Sequence, residues 1–310
     1  MAVEEMTPGV ARLRTLMANI YLVGAPGGPW ALVDTGTPGN AARIRDAAQR
    51  RFGRDARPSA ILLTHGHRDH AGSARELAEY WDVNIYAHWL ERPFLTGQSA
   101  YPPKDPMAGG AFSFLSRIFP SSTVDLGERL RDLPADGESP GLAGWRWHFT
   151  PGHAPGHVCF FQWDERVLLA GDACVTMDLD SAMGIVAQEP RISRPPAPFT
   201  YDWDQAQQSV ELLAGLRPMA IGAGHGEPMF GPAVAAGLAD LARDFPRTQG
   251  RYAGEPARAD ETGIAFVPPP TDDPAPKIAV AAGLAAVALG AVMALSRRDK
   301  ERPIPRLRES

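Results

Sequence analysis

Apolar side chains along this chain fall into short runs separated by turn residues, and their spacing alternates between strand-like and helix-like periods. Residues 20–23 and 30–33 flank a Gly24 to Pro29 turn and predict two paired strands; residues 40–52 predict a helix stopped by Gly53. Residues 59–63, bounded upstream by Arg57-Pro58, predict a buried strand. Behind it Ala71, Ala74, Leu77, Ala78 and Trp81 recur at helical spacing. Residues 84–87 predict a further strand. The second half repeats the style, with strands at 145–150, 157–163, 166–170 and 219–223 and helices near 204–216 and 232–245. Two β-rich halves flanked by helices imply an α/β sandwich, sheet packed on sheet with helices on both outer faces.

Between the halves, residues 90–123 are irregular, rich in proline and glycine before an apolar stretch at 112–119. Such a segment is either the wall or lid of a site or a surface excursion.

The pattern weakens after Phe245. Residues 1–255 are expected to form the catalytic domain and residues 256–277 a proline-rich, semi-rigid linker. Residues 278–296 predict a hydrophobic helix: positions 278–295 carry no charge and consist of eight alanines, two glycines and eight Ile, Val, Leu or Met. At ~1.5 Å per residue that helix is ~27 Å long, close to the ~30 Å hydrocarbon thickness of a bilayer, so a single transmembrane anchor is expected. Ala282, Ala286, Gly290 and Ala294 form a small-residue stripe that would let two such helices pack as a homodimer; the plainer reading is an alanine-rich helix. The basic tail, 297–310, carries Arg297, Arg298, Lys300, Arg302, Arg306 and Arg308, which favours a cytoplasmic tail and an external domain. Residues 1–18 hold no apolar run of signal-peptide length, which favours a cytoplasmic domain instead; the expectation adopted is a cytoplasmic domain on a membrane anchor.

Over 310 residues the formal net charge of -5 argues against a nucleic-acid partner, which would want a clustered basic face. The two cysteines, Cys159 and Cys174, lie in or beside apolar runs and read as buried free thiols rather than a disulfide framework.

Against this background four clusters stand out: Thr64-His65-Gly66-His67-Arg68-Asp69-His70, Pro151-Gly152-His153, Gly171-Asp172 and Gly224-His225-Gly226. Each follows a predicted strand, so four strand ends bring five histidines and two aspartates to one edge. In a loop, His65 and His67 can aim at one ion while Asp69 and His70 turn toward a neighbouring position. Imidazole and carboxylate donors suit zinc, with manganese or iron as alternatives. A lone histidine near a strand end is usually a hydrogen-bonded structural residue, and His157 is read that way, while His88 and His148 read as strand residues; seven such residues in four clusters are not read that way. Tyr101 and Tyr201 are candidates for binding substrate, the alternative being packing in proline-rich loops.

The HxHxDH run, the later His, the Asp and the last His resemble the metallo-β-lactamase superfamily over residues 18–245. The segments at 91–97, 101–103 and 150–157 are similar to a poorly characterised bacterial hydrolase branch of it. The resemblance implies an αββα sandwich and two divalent ions. It assigns His65, His67 and His153 to one ion and Asp69, His70 and His225 to the other, with Asp172 bridging. It also places Asp34, in Leu32-Val33-Asp34-Thr35-Gly36, behind the ligands as a supporting carboxylate; the bland reading is a strand-end turn. Two ions ~3.5 to 4 Å apart can bridge a water and lower its pKa toward ~7. The expected function is therefore metal-dependent hydrolysis of a small ester-like substrate such as a lactone or thioester, with Asp69 orienting the nucleophile. A β-lactam or nucleic-acid substrate fits the resemblance less well. The alternatives are a mononuclear-iron persulfide dioxygenase and a membrane-tethered metal-binding scaffold without turnover.

Overall fold

The computed structural model describes residues 3–273 apart from 16–17, 120–123 and 247. The expected hydrophobic helix at 278–296 and the basic tail lie outside the described residues. Among those described, no helix is long and apolar enough to cross a membrane. The chain divides into Met1–Thr271 and Asp272–Ser310, and the first unit carries every element below.

Seven strands form one sheet in chain order: β1 (Val3–Thr7), β2 (Val10–Arg14), β3 (Asn19–Val23), β4 (Ala31–Val33), β5 (Ala60–Leu62), β6 (Ile85–Ala87) and β7 (Leu130–Asp132). Pairing is antiparallel as far as β4 and parallel from β4 to β7. The second sheet contains β8 (Trp145–Phe149), β9 (Val158–Gln162), β10 (Val167–Gly171), β11 (Ala220–Ala223) and β12 (Met229–Phe230), in the order β12-β11-β10-β9-β8 with β10 and β11 parallel. The helices are α1 (Ala41–Phe52), α2 (Arg68–Ala71), α3 (Ala74–Trp81), α4 (Arg92–Leu95), α5 (Ala111–Leu115), α6 (Ala182–Ala187), α7 (Trp203–Leu216) and α8 (Pro232–Arg243).

Strand alternation explains the layers. Tyr21, Val23, Ala31, Val33, Ala60 and Leu62 of the first sheet meet Val158, Phe160, Val167 and Leu169 of the second in the central core. The intervening residues of the first sheet, Ile20, Leu22, Leu32 and Ile61, pack on Ile44, Ala48, Leu77 and Ala78 of α1 and α3. Those of the second sheet, Cys159, Phe161, Leu168 and Ala170, pack on Val210, Leu213, Val234 and Leu238 of α7 and α8. Both faces of each sheet are therefore covered, which is why these strands read as continuous apolar runs rather than alternating ones. The result is the expected αββα sandwich, and both cysteines are buried and free.

Three local departures from the sequence reading have physical causes. The sequence pattern does not predict β1 and β2, because Glu4, Glu5 and Arg12 interrupt their apolar positions. Arg12 is nevertheless buried, pairing with Glu4 and Glu227, while Arg51 pairs with Glu5. Part of the expected linker, residues 258–266, instead holds a hairpin of β13 (Arg258–Asp260) and β14 (Gly263–Phe266). Asp260 closes its turn by accepting from the Thr262 N–H and hydroxyl at 2.8 and 2.7 Å. His88 lies just past β6 rather than within it, and its Nδ1 accepts the Leu90 N–H at 3.3 Å.

Candidate metal centre

Because β4 and β5 are parallel, and β8, β10 and β11 share one direction, their C-terminal ends lie at a common edge in each sheet. Asp34 follows β4, the Thr64 to His70 run follows β5, and His153, Asp172 and His225 follow β8, β10 and β11. The two edges are stitched together. The Val158 N–H donates to the Thr64 carbonyl at 2.9 Å. Side chains of the first sheet reach the His225 loop: Asn19 Nδ2 donates to the Ala223 and Gly226 carbonyls at 3.0 and 2.8 Å, and the Tyr21 hydroxyl donates to the Ala223 carbonyl at 2.6 Å.

All seven predicted ligand residues come together. His67 Nδ1 lies 2.9 Å from His65 Nε2 and 3.0 Å from His153 Nε2, so three imidazole nitrogens converge on one point. Asp69, His70 and His225 form a second set; in each set the donor atoms lie within 4.8 Å of one another. Asp172 Oδ2 stands between them, 3.5 Å from His153 Nε2, 3.6 Å from His70 Nε2 and 3.1 Å from His225 Nε2. Asp69 Oδ2 is 3.6 Å from His225 Nε2 and 3.8 Å from His70 Nε2.

The outward-facing nitrogens show how each ring is aimed. His65 Nδ1 faces the Thr64 hydroxyl at 3.0 Å, His153 Nδ1 the Thr200 hydroxyl at 3.4 Å and His67 Nε2 the Tyr201 hydroxyl at 3.5 Å. Each ring thus has an oxygen available on one side and its other nitrogen turned inward. Asp34, the predicted support, lies 2.8 Å from His70 Nδ1 through Oδ2 and accepts the Thr64 N–H and hydroxyl, each at 2.8 Å. The buried His70 Nε2 and Asp172 Oδ1 have no hydrogen-bond partner among the described residues. Orphaned polar atoms at this depth are costly unless an ion completes them, so the donor set fits divalent metal.

The charges divide between the two sets. Burial, with His70, His67 and His153 close by, holds His65 well below the usual histidine range, while burial carries His67 down to about 4. Both therefore present neutral rings. Burial opposes charge on His70 and His225 too, but Asp172, with Asp69 near both, raises them. Burial would raise Asp172 in turn, yet His225 and His70 hold its carboxyl well below the carboxylate range.

Residues 13–225 match the family model of the metallo-β-lactamase superfamily. The chain belongs to this superfamily. A probable metallo-hydrolase of Bacillus subtilis (strain 168), YflN, is 41% identical over 241 residues, 77% of this chain and 91% of its own length. The hydroxyacylglutathione hydrolase GloC of Haemophilus influenzae is 30% identical over 144 residues, 46% of this chain and 59% of its own. Among solved structures, a metallo-β-lactamase family protein from Thermus thermophilus superposes with TM-score 0.52 at 26% identity, covering 78% of this chain and 80% of that one.

In this metallo-β-lactamase fold the irregular segment supplies the pocket wall. A cavity of about 750 Å³ opens onto His67, Asp69, His153, Asp172 and His225. Pro102, Phe112 and Phe119 line it from residues 90–123, and Phe199 and Tyr201 complete the lining. The Tyr101 ring sits 4.5 Å from that of His67 and stacks on Phe94 at 4.2 Å. Its hydroxyl, however, donates to Glu91 and accepts the Gly66 N–H at 3.0 Å, so only its ring is offered to the cavity. Nothing in the sequence around Glu91 marks it for a role at the site. A glutamate between Leu90 and Arg92 reads as a surface residue, and its burial arises only when loops distant in sequence close over it.

Proposed function

We propose that this metallo-β-lactamase-fold hydrolase cleaves a small ester-like carbonyl compound, a thioester or lactone, using two divalent ions, zinc by donor chemistry. The observation that carries the reading is the position of Asp172 Oδ2 within reach of both the three-histidine set and the Asp69, His70 and His225 set. His65, His67 and His153 would hold one ion, Asp69, His70 and His225 the other, and Asp172 both.

When bound, such a pair supplies an acidified water and polarises a substrate oxygen. The chain's own residues do the rest. Asp69 accepts a hydrogen bond from the attacking water and orients it. Asp34 holds the His70 ring, and the Thr64, Thr200 and Tyr201 hydroxyls accept from the outward nitrogens of His65, His153 and His67, fixing which nitrogen faces the ion. Phe112, Phe119 and Phe199 exclude water and receive the apolar part of the acyl group, while Tyr101 and Tyr201 flank the scissile bond. GloC's name favours the thioester within this class. Relatives named as metallo-hydrolases leave the iron dioxygenase and the inactive scaffold without support. The same proposal places the catalytic unit in the cytoplasm, tethered to the membrane through residues 278–296.

The test is metal analysis of the purified full chain together with a turnover screen over thioesters, lactones, phosphodiesters and β-lactams. About two transition-metal ions per chain and thioester or lactone turnover that disappears on chelation and returns with zinc are expected. Full activity after complete chelation would overturn the mechanism. Preferential turnover of a phosphodiester or β-lactam would overturn the substrate class.

A further inference from the structure

Glu91 is fully enclosed, at 0% exposure, yet belongs to neither donor set and forms no salt bridge among the described residues. Its carboxylate reaches two loops from different sheets. Oε2 accepts the Gly66 N–H at 2.7 Å and Oε1 accepts the Gly156 N–H at 2.6 Å; the Tyr101 hydroxyl also donates to Oε2. Gly66 lies between His65 and His67, and Gly156 follows His153 by three residues.

The contact is built to be close. A Cβ on Gly156 would stand 2.8 Å from both Glu91 Cγ and the Glu91 backbone nitrogen. A Cβ on Gly66 would stand 2.6 Å from the Tyr101 hydroxyl and 2.8 Å from Leu95 Cδ2. At Gly156 a side chain would collide with Glu91 itself, and at Gly66 with the Tyr101 and Leu95 side chains packed beside it. Burying a carboxylate is costly even where hydrogen bonds offset part of the penalty, so stability alone is a weak reason for an ionisable group here. Geometry gives a stronger one. A carboxylate accepts on both oxygens, so it can draw together two N–H groups that face each other across it; an amide would turn a donor toward one of them.

We infer that Glu91 is a positioning residue that clamps the two histidine loops, setting the geometry of His65, His67 and His153, with Tyr101 as the third donor to the clamp. The inference rests on the reading of those histidines as metal ligands. The Asp69, His70 and His225 set receives no bond from Glu91 and has supports of its own, in Asp34, which also holds Thr64, and in the contacts of Asn19 and Tyr21 to the His225 loop. The clamp therefore acts on one half of the centre.

The experiment titrates metal-free full-length wild type, Glu91→Gln, Glu91→Asp and Tyr101→Phe with zinc against a chromophoric chelator. Cobalt(II) absorption reports the ligand environment, and thermal unfolding of the metal-free proteins reports the fold. Wild type takes up two ions. In Glu91→Gln one site weakens by about 10–100-fold, the usual scale for losing a group that orients ligands, while the other is unchanged. The cobalt spectrum of the weakened site changes, and kcat falls more than KM rises. Glu91→Asp, which keeps both acceptor oxygens, recovers part of the affinity, and Tyr101→Phe shows a smaller loss at the same site. If wild type takes up two ions and Glu91→Gln matches it in both affinities, the clamp is overturned alone. Equal weakening of both sites in step with lower thermal stability overturns it in favour of a general structural role. A wild type that binds no metal overturns the ligand reading and the clamp with it.

Discussion

The backbone N–H of Asp172 donates to His157 Nε2 at 2.9 Å, and the other nitrogen of that ring, Nδ1, lies 2.9 Å from the Thr150 hydroxyl. The ring carries its proton on Nδ1 and is kept neutral, burial pushing it down to about 3. A histidine four residues after His153 thus supports the carboxylate that faces both donor sets without itself joining either. Replacing it by alanine strands a buried N–H and opens a cavity. His157→Ala is expected to lower unfolding free energy by about 1–3 kcal/mol, read by denaturant titration of the metal-free protein, and to reduce the metal taken up when that protein is reloaded with zinc.

Asp34 serves three partners at once: the His70 ring, the Thr64 N–H and the Thr64 hydroxyl. Asp34→Ala removes the acceptor that aims His70 and releases the strand end carrying the first histidines. Metal affinity should fall by about 10–100-fold, with turnover falling at subsaturating metal and partly returning when zinc is raised. Unchanged affinity would show that His70 needs no such support.

The two tyrosines are expected to separate. The Tyr201 hydroxyl faces His67 Nε2, whereas that of Tyr101 is committed to Glu91 and Gly66. Tyr201→Phe should reduce kcat/KM by about two- to tenfold, the worth of one ordinary hydrogen bond, without changing the number of bound ions. A change in metal count would instead make that hydroxyl essential to ligand orientation.

His88 gives a pH signature from outside the two donor sets. Its ring stacks on Phe149 at 4.5 Å, and burial lowers its pKa from 6.5 to about 4. Between those values the unfolded chain binds a proton at His88 that the folded chain refuses, so the contribution of His88 to stability is full above pH 6.5 and declines as pH falls toward 4. Unfolding measured across that interval should show a shallower acid loss in His88→Phe than in wild type; parallel curves would assign the acid sensitivity to other groups.

Deleting residues 277–310 tests the tether. The truncated chain should leave the membrane fraction while retaining turnover, measured by fractionation and assay of the same lysate. Retention in the membrane fraction would rule out that segment as the sole anchor.

The centre was legible because its chemistry is local: histidines and aspartates stand just past apolar runs, and a strand end followed by a tight loop constrains where such side chains can go. The sandwich was legible for a related reason, since residues such as Leu32, Ile61 and Phe160 are buried whichever face they take. What escaped depends on distant partners. β1 and β2 are strands whose charges are paired only after folding, with Arg12 reaching Glu227 across the sheet gap. Glu91 becomes a buried bridge only when Gly66 and Gly156 arrive on either side of it. Polar residues satisfied over long sequence separations leave no periodic trace, whereas apolar ones do.

The donors begin at His65 and end at His225, drawn first from one sheet and then from the other. A growing chain therefore cannot assemble the second donor set until residue 225 has emerged and the second sheet has docked. Truncated or half-folded products would lack that set, so hydrolytic competence is withheld until synthesis of the sandwich is nearly complete.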